Sequence, residues 1–267
     1  MSLKTKMKEK YGFDVSDLAD WADGTKQPMR ISANLATYPP RMHSLKQTVA
    51  SIYDQVDVIR ICFNGMTRDD VPEYLHDLEY RGYDNMGKIQ MIFLNQNLTD
   101  NGKFFMLDGL EFQQPEYYFT MDDDIVYPAD YVSKTIEAIK TYGTIITYHG
   151  RILLGTHRDY YRGHKSFHCL GDQKGNHRID VCGTGVTAFD TRYFHPKGLA
   201  SSPNQKMSDI IFSLEASKQG KQIGCIAHKQ GWITDIKHEE TIHQTESRNC
   251  GVQNQLADEI YTLNYGK

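Results

Sequence analysis

A chain of 267 residues with 39% hydrophobic content is long enough to bury a sizeable core and lies near the size at which chains begin to divide into domains. The formal net charge of −4 excludes the broad basic footprint of a general nucleic-acid binder, so no nucleic-acid partner is expected. Five cysteines, Cys62, Cys169, Cys182, Cys225 and Cys250, are scattered, odd in number and free of any CxxC pair; this excludes a disulfide framework or zinc knuckle and points to reduced thiols in a cytoplasmic protein.

The opening "MSLKTKMKEK" is charged with no apolar run behind it, so it does not read as a secretory signal. No stretch reaches the roughly 20 apolar residues of a transmembrane helix, which leaves only peripheral association with the inner face of a membrane. Residues 1–27, with the amphipathic piece "VSDLADWAD", read as an N-terminal helical extension, and residues 28–267 as one domain. From Met29 strand and helix alternate. "MRISANLATY" is a strand; "SLKQTVASIY" is a helix with Ser44 as N-cap and Leu45, Val49 and Ile52 on one face; "VDVIRICFNG" is a second strand. "VPEYLHDLEYRG" and "KIQMIFLNQ" repeat the unit, and "NLTDNGKFFML" carries a helix toward the next strand. The alternation predicts an α/β fold with a mostly parallel central sheet flanked by helices and ligand-binding loops at one edge.

"YYFTMDDDIVYP", residues 117–128, ends an apolar strand in three adjacent aspartates, Asp122, Asp123 and Asp124. The plain reading is an acidic turn before the helix "ADYVSKTIEAIKTYG". Apolar Ile125, Val126 and Tyr127 resume directly after the acids, however, and carboxylates crowded beside a packed sheet need a compensating cation. A hard divalent ion shared with a diphosphate would supply one. Further on, "TIITYHGRILL" predicts one strand, while residues 155–180, with His157, His164, His168 and His177, read either as a lid or as a disordered loop. "DVCGTGVTAFD" predicts a strand whose glycines let the backbone approach something closely. "SDIIFSLEASKQG" predicts a helix from Ser208 as N-cap to Gly220.

"TMDDDIVYP", "YHGRI", "CGTGVTAF", "MSDIIFSLEASKQG" and "GWITD…TIHQ" occur in an order that resembles GT-A-fold, Rossmann-related glycosyltransferases, in particular inverting bacterial enzymes of capsular polysaccharide and glycosaminoglycan (heparosan-type) synthesis. The resemblance covers about residues 29–245. It implies a UDP-sugar donor, a saccharide acceptor, and Mn2+ or Mg2+ held at a DxD motif by Asp122 and Asp124, with His243 completing the shell and Asp123 able to exchange roles with its neighbours. His238 competes with His243 for that position. The resemblance further implies donor contacts from Thr37, Tyr38, Arg41, Asn64 and Lys103, and a pocket lined by Gly183, Thr184 and Gly185 and by His149 and Gly150.

It also implies Asp209 as the catalytic base, against the alternative that an aspartate in a first helical turn merely complements the helix dipole, which would keep its pKa low. Trp232 is read either as a sugar-stacking ring or as core. Two alternatives to a glycosyltransferase stand beside it. One is a sugar-phosphate nucleotidyltransferase, which should carry a glycine-rich basic loop after the first strand where this chain has "LATYPPR". The other is a non-catalytic nucleotide- or carbohydrate-binding subunit of a polysaccharide assembly complex.

Overall fold

The computed structural model describes residues 29–79, 88–94, 96–109, 115–155, 160–237 and 251–266. The expected extension at 1–27, and both His238 and His243, lie outside them. Strands β1 (Arg30–Thr37), β2 (Val58–Phe63), β3 (Ile89–Phe93) and β4 (Glu116–Met121) pair in parallel in the order β3-β2-β1-β4. Helices α1 (Met42–Ile52) and α2 (Glu73–Glu79) follow β1 and β2, and a 3-10 turn (Thr99–Phe104) running into α3 (Phe105–Gly109) follows β3. After β4 come the short β5 (Ile125–Val126), α4 (Tyr131–Tyr142) and β6 (Ile145–Thr147).

The strand expected over "TIITYHGRILL" is two strands. The chain leaves β6 at Tyr148-His149 and enters β7 (Gly150–Leu153) in a second, three-stranded sheet with β8 (His164–Phe167) and β10 (Val181–Cys182). Gly150 makes the change possible: a Cβ there would sit 2.2 Å from Ile179 Cδ1 and 2.5 Å from the Val181 carbonyl. The second predicted strand also divides, into β10 and β11 (Val186–Asp190), around a Gly183-Thr184-Gly185 turn. The main sheet continues β4-β11-β6-β12-β9, with β9 (His177–Ile179) and β12 (Ile223–Cys225) at its far end. Here β11 runs antiparallel to both of its neighbours, so the sheet is mostly rather than wholly parallel. Two strands, β8 and β9, arise in the segment expected to be a lid or loop.

The period of two in β1, β2 and β4 sorts their side chains onto two faces. Ala33, Leu35, Ile59, Ile61, Phe63, Phe119 and Met121 form one core with Leu45, Val49 and Ile52 of α1 and Tyr131, Val132 and Ile139 of α4. The opposite face packs Tyr118, Phe189 and Ile223 against Phe104, against Ile210, Phe212 and Leu214 of α5 (Ser208–Lys218), and against Ala257 and Ile260 of α6 (Gly251–Tyr265).

Neither expected serine cap holds. α1 begins at Met42, and the Ser44 hydroxyl donates to the Arg41 carbonyl from inside the helix. α5 begins at Ser208, whose N–H is taken at 3.1 Å by Asp100, a carboxylate from the turn after β3. Gly220, in the left-handed region at φ 65°, does end α5 as expected. No helix among the described residues is long and apolar enough to cross a membrane.

Candidate functional site

The strand order 3-2-1-4 reverses between β1 and β4, since the chain builds outward from β1 to β3 and then returns to pair on β1's other edge. Side chains from the carboxyl ends of those two strands face one crevice there, the usual ligand position of an open α/β sheet. A cavity of 510 Å3 fills it, lined by Thr37, Tyr38, Arg41, Asn64, Lys103, Asp122, Asp123, Asp124, Thr184 and Asp209 among others. Most of the sequence-selected residues thus converge; Gly183, Gly185, His149, Gly150 and Trp232 are not among those that line the cavity, and His243 lies outside the described residues.

The aspartates are arranged unequally. Asp124 accepts from Arg41 Nη1 at 2.5 Å, Arg41 being 8% exposed. Asp122 pairs with the ammonium of Lys103, which is 3% exposed. Burial works to lower the Lys103 pKa, but Asp122, Asp100 and Asp209 outweigh it and leave the ammonium above its ordinary value. Asp123 is buried between its neighbours; burial, reinforced by Asp124 and Asp122, pushes its carboxyl up to about 7 against the pull of Thr37 and Arg41.

Behind this cluster the Tyr127 hydroxyl accepts from the Asp122 N–H at 3.1 Å and donates to the Gly185 carbonyl at 2.6 Å, fastening the acidic turn to the glycine turn. A Cβ on Gly185 would lie 2.1 Å from Asp122 Oδ2, so the absent side chain is the space the carboxylate occupies. Gly183 lies instead against the His149 ring, with 2.7 Å between a built Cβ and Cδ2. Strand β13 (Thr234–Asp235), just after "GWI", pairs with β5, and the Ile236 N–H donates to the Asp124 carbonyl at 2.7 Å. As far as Ile236 the chain therefore returns to the acidic turn.

Asn64, Trp232 and Asp209 are each held by other neighbours. Asn64 spends its amide on the loop, donating to the Thr99 carbonyl and accepting from the Leu98 N–H, both at 2.9 Å, so it positions a wall of the cavity. Trp232 lies away from the cavity, against Tyr148 and Tyr131, with its indole N–H donated to Asp130 at 2.8 Å. Asp209 does not have the low pKa that the helix dipole alone would give it. Burial raises it, the dipole and two 2.8 Å hydrogen bonds from the Thr184 N–H and hydroxyl notwithstanding.

Sequence reasoning missed Asp100, Arg151, Tyr160, Tyr161, Lys206 and Gln253, which also line the cavity. At its rim Thr99 (φ 51°) and Lys206 (φ 60°) both hold left-handed backbone, joined by a 3.3 Å bond from the Lys206 N–H to the Thr99 hydroxyl. A β-branched residue in that region is strained, and the turn bonds over-determine it. The thiols of Cys62, Cys169, Cys182 and Cys225 are all pushed up to about 12 by burial and are unsuited to nucleophilic work.

Among the described residues no three His, Cys, Asp or Glu side chains are grouped to hold a metal. Asp122 and Asp124 alone suit a hard divalent ion that takes one or two carboxylates and completes its shell with phosphate oxygens and water. The nitrogen donor expected from His243 lies outside the described residues.

No family model matches the chain, and no curated protein matches it. Among solved structures, a 4-diphosphocytidyl-2C-methyl-D-erythritol synthase from Anaerococcus prevotii is similar over 82% of this chain and 98% of its own, at 15% identity and a TM-score of 0.44. The glycosyltransferase expectation is not met in that comparison: the similar structure is named as a synthase of a diphosphocytidyl compound, not as a glycosyltransferase.

Proposed function

We propose that the cavity binds a nucleoside triphosphate with Mg2+ or Mn2+ and that the chain is a sugar-phosphate nucleotidyltransferase. The observation that carries this reading is the meeting of Asp122, Asp123 and Asp124 with two buried cations, Arg41 and Lys103, at the β1–β4 reversal. A polyphosphate presents the charges such a set is built for: cations for its oxygens and carboxylates for the ion that travels with it. When bound, the ion would neutralise charge developing on the departing pyrophosphate.

In the reaction proposed, a phosphate oxygen of the sugar phosphate attacks the α-phosphorus of the nucleotide. The bond to the bridging oxygen of the β-phosphate breaks, and pyrophosphate leaves. Arg41 and Lys103 take the place of a glycine-rich basic loop after β1, holding the triphosphate in line while their carboxylate partners turn to the cation. A phosphate monoester is largely ionised near neutral pH, so no base is needed. Asp209 then acts as a positioning residue that fixes Thr184 and, through it, the glycine turn beneath Asp122.

The test is pyrophosphate release from the four nucleoside triphosphates in the presence of a panel of sugar 1-phosphates, in magnesium, in manganese and in chelator. Metal-dependent release with one pair, abolished by Asp124→Asn, is the expected result. Nucleotide binding without release would leave a binding module, and release of a nucleoside diphosphate from a nucleotide sugar would sink the reading.

A further inference from the structure

The cavity has a second half that the polyphosphate set does not use. Arg151 of β7 enters it with its guanidinium carbon 4.5 Å from the Tyr160 ring centroid and 5.7 Å from that of Tyr161. Its Nη1 is buried and has no hydrogen-bond partner among the described residues. Gln253, on α6 and 2% exposed, lines the same cavity, and its Oε1 is likewise buried with no partner among the described residues. A buried donor on a cation and a buried acceptor on an amide both carry a desolvation penalty until something supplies their partners. Two built features hold them in this state. The Tyr160 N–H donates to Asn254 at 2.8 Å, and the Asn264 amide donates at 2.9 Å to Asp180, whose other oxygen takes the Leu153 N–H at 2.9 Å. The C-terminal helix is thus fastened near its start to Tyr160 and near its end to Asp180.

We propose that Arg151, Gln253, Tyr160 and Tyr161 form the subsite for the second substrate, with Arg151 taking a phosphate monoester and Gln253 accepting a hydrogen bond from a hydroxyl of the attached sugar. This rests on the nucleotidyltransferase reading for the identity of the second substrate, though not for the anion site itself. Arg41 and Lys103 each already hold a carboxylate, whereas the Arg151 Nη1 holds no hydrogen bond among the described residues, so an incoming phosphate meets an unspent donor here. A guanidinium clamped over an aromatic ring keeps its planar fork oriented, the geometry suited to two phosphate oxygens.

Inorganic phosphate and glucose 1-phosphate, titrated by calorimetry into the full chain with and without saturating UTP–magnesium, test it. Arg151→Gln should weaken both probes by about tenfold or more, the usual worth of a charge-assisted hydrogen bond, while leaving UTP–magnesium affinity within about twofold. Arg151→Lys should keep part of the phosphate affinity, which controls for misfolding, and Gln253→Leu should weaken glucose 1-phosphate alone. Equal phosphate affinity in wild type and Arg151→Gln overturns the proposal, as does a parallel loss of UTP binding, which would place Arg151 with the nucleotide. If UTP fails to bind wild type while phosphate binding still depends on Arg151, the nucleotide reading falls and the anion subsite stands.

Discussion

Gly185→Ala isolates the contact between the glycine turn and the acidic turn. The backbone of Gly185 is not in the left-handed region, so an alanine there is opposed by space alone. Its Cβ would meet Asp122 Oδ2 at 2.1 Å and Cγ at 2.5 Å; the carboxylate must retreat by about 1.3 Å, the difference between 2.1 Å and the 3.4 Å at which ordinary contact begins. Asp122 can make that move because its side chain is 43% exposed and free to rotate toward the cavity, so the fold should survive. The ion pair with Lys103 cannot survive it, since a charge-assisted bond is made or lost within a few tenths of an ångström. The displaced carboxylate also leaves the place from which it would meet the cation; losing one charged contact to the bound ligand is worth about 2 kcal/mol, and the expected result is UTP–magnesium affinity roughly 30-fold weaker by calorimetry. Gly150→Ala serves as contrast: its Cβ would strike the Val181 carbonyl at 2.5 Å, a backbone atom that cannot swing aside, and should lower Tm sharply. A folded Gly185→Ala protein with wild-type affinity would refute the assignment of Asp122 to the nucleotide end.

Three further outcomes are expected. Asp209→Asn, if the residue positions Thr184, should cost less than about tenfold in turnover and lower Tm slightly, and a loss of about 10²-fold or more with binding intact would restore a base. His149 faces His168, Arg151, Asp122 and His228, and burial holds its pKa down to about 4. Between about 4 and the ordinary 6.5 the unfolded chain binds the extra proton. The contribution of His149 is therefore complete above 6.5 and is lost as pH falls toward 4, so His149→Asn should shrink the drop in Tm between pH 7 and pH 5, and an unchanged drop would count against it. Glu116 meets Arg60 through bonds of 2.8 and 2.9 Å in the sheet interior. Glu116→Gln should cost about 3 kcal/mol in urea denaturation, while the double change to Arg60→Met with Glu116→Leu should lie closer to wild type than either single change.

The half of the molecule built from β1 to β4 was legible because its signals are local. Alternating apolar runs fix each strand, the acids follow the last of them directly, and a parallel order leaves one edge for Arg41, Lys103 and the acidic turn to share. What escaped depends on distant partners. Ser208 reads as a cap until Asp100, over a hundred residues earlier, takes its N–H. The helix dipole predicts a low pKa for Asp209, and burial under neighbouring elements reverses it. "TIITYHGRILL" carries His149-Gly150-Arg151 inside what reads as one strand, and only the packing of Gly150 against Val181 shows that the chain changes sheets there. Arg151, Tyr160 and Gln253 belong to no shared motif; the hairpin of β7 with β8 and the docking of α6 bring them together.

The dependence on α6 bears on how the protein matures. A ribosome that has released residues 1–230 has already supplied the acids, Arg41, Lys103 and Arg151, yet the wall carrying Gln253 and the anchor at Asn254 do not exist until some 25 residues later. Closing that wall joins segments about 90 residues apart, a loop-entropy cost met only when α6 can pack on α5. A nascent chain should therefore fold its parallel sheet while its ligand cavity still lies open to water, and acquire substrate affinity in a late, separate step.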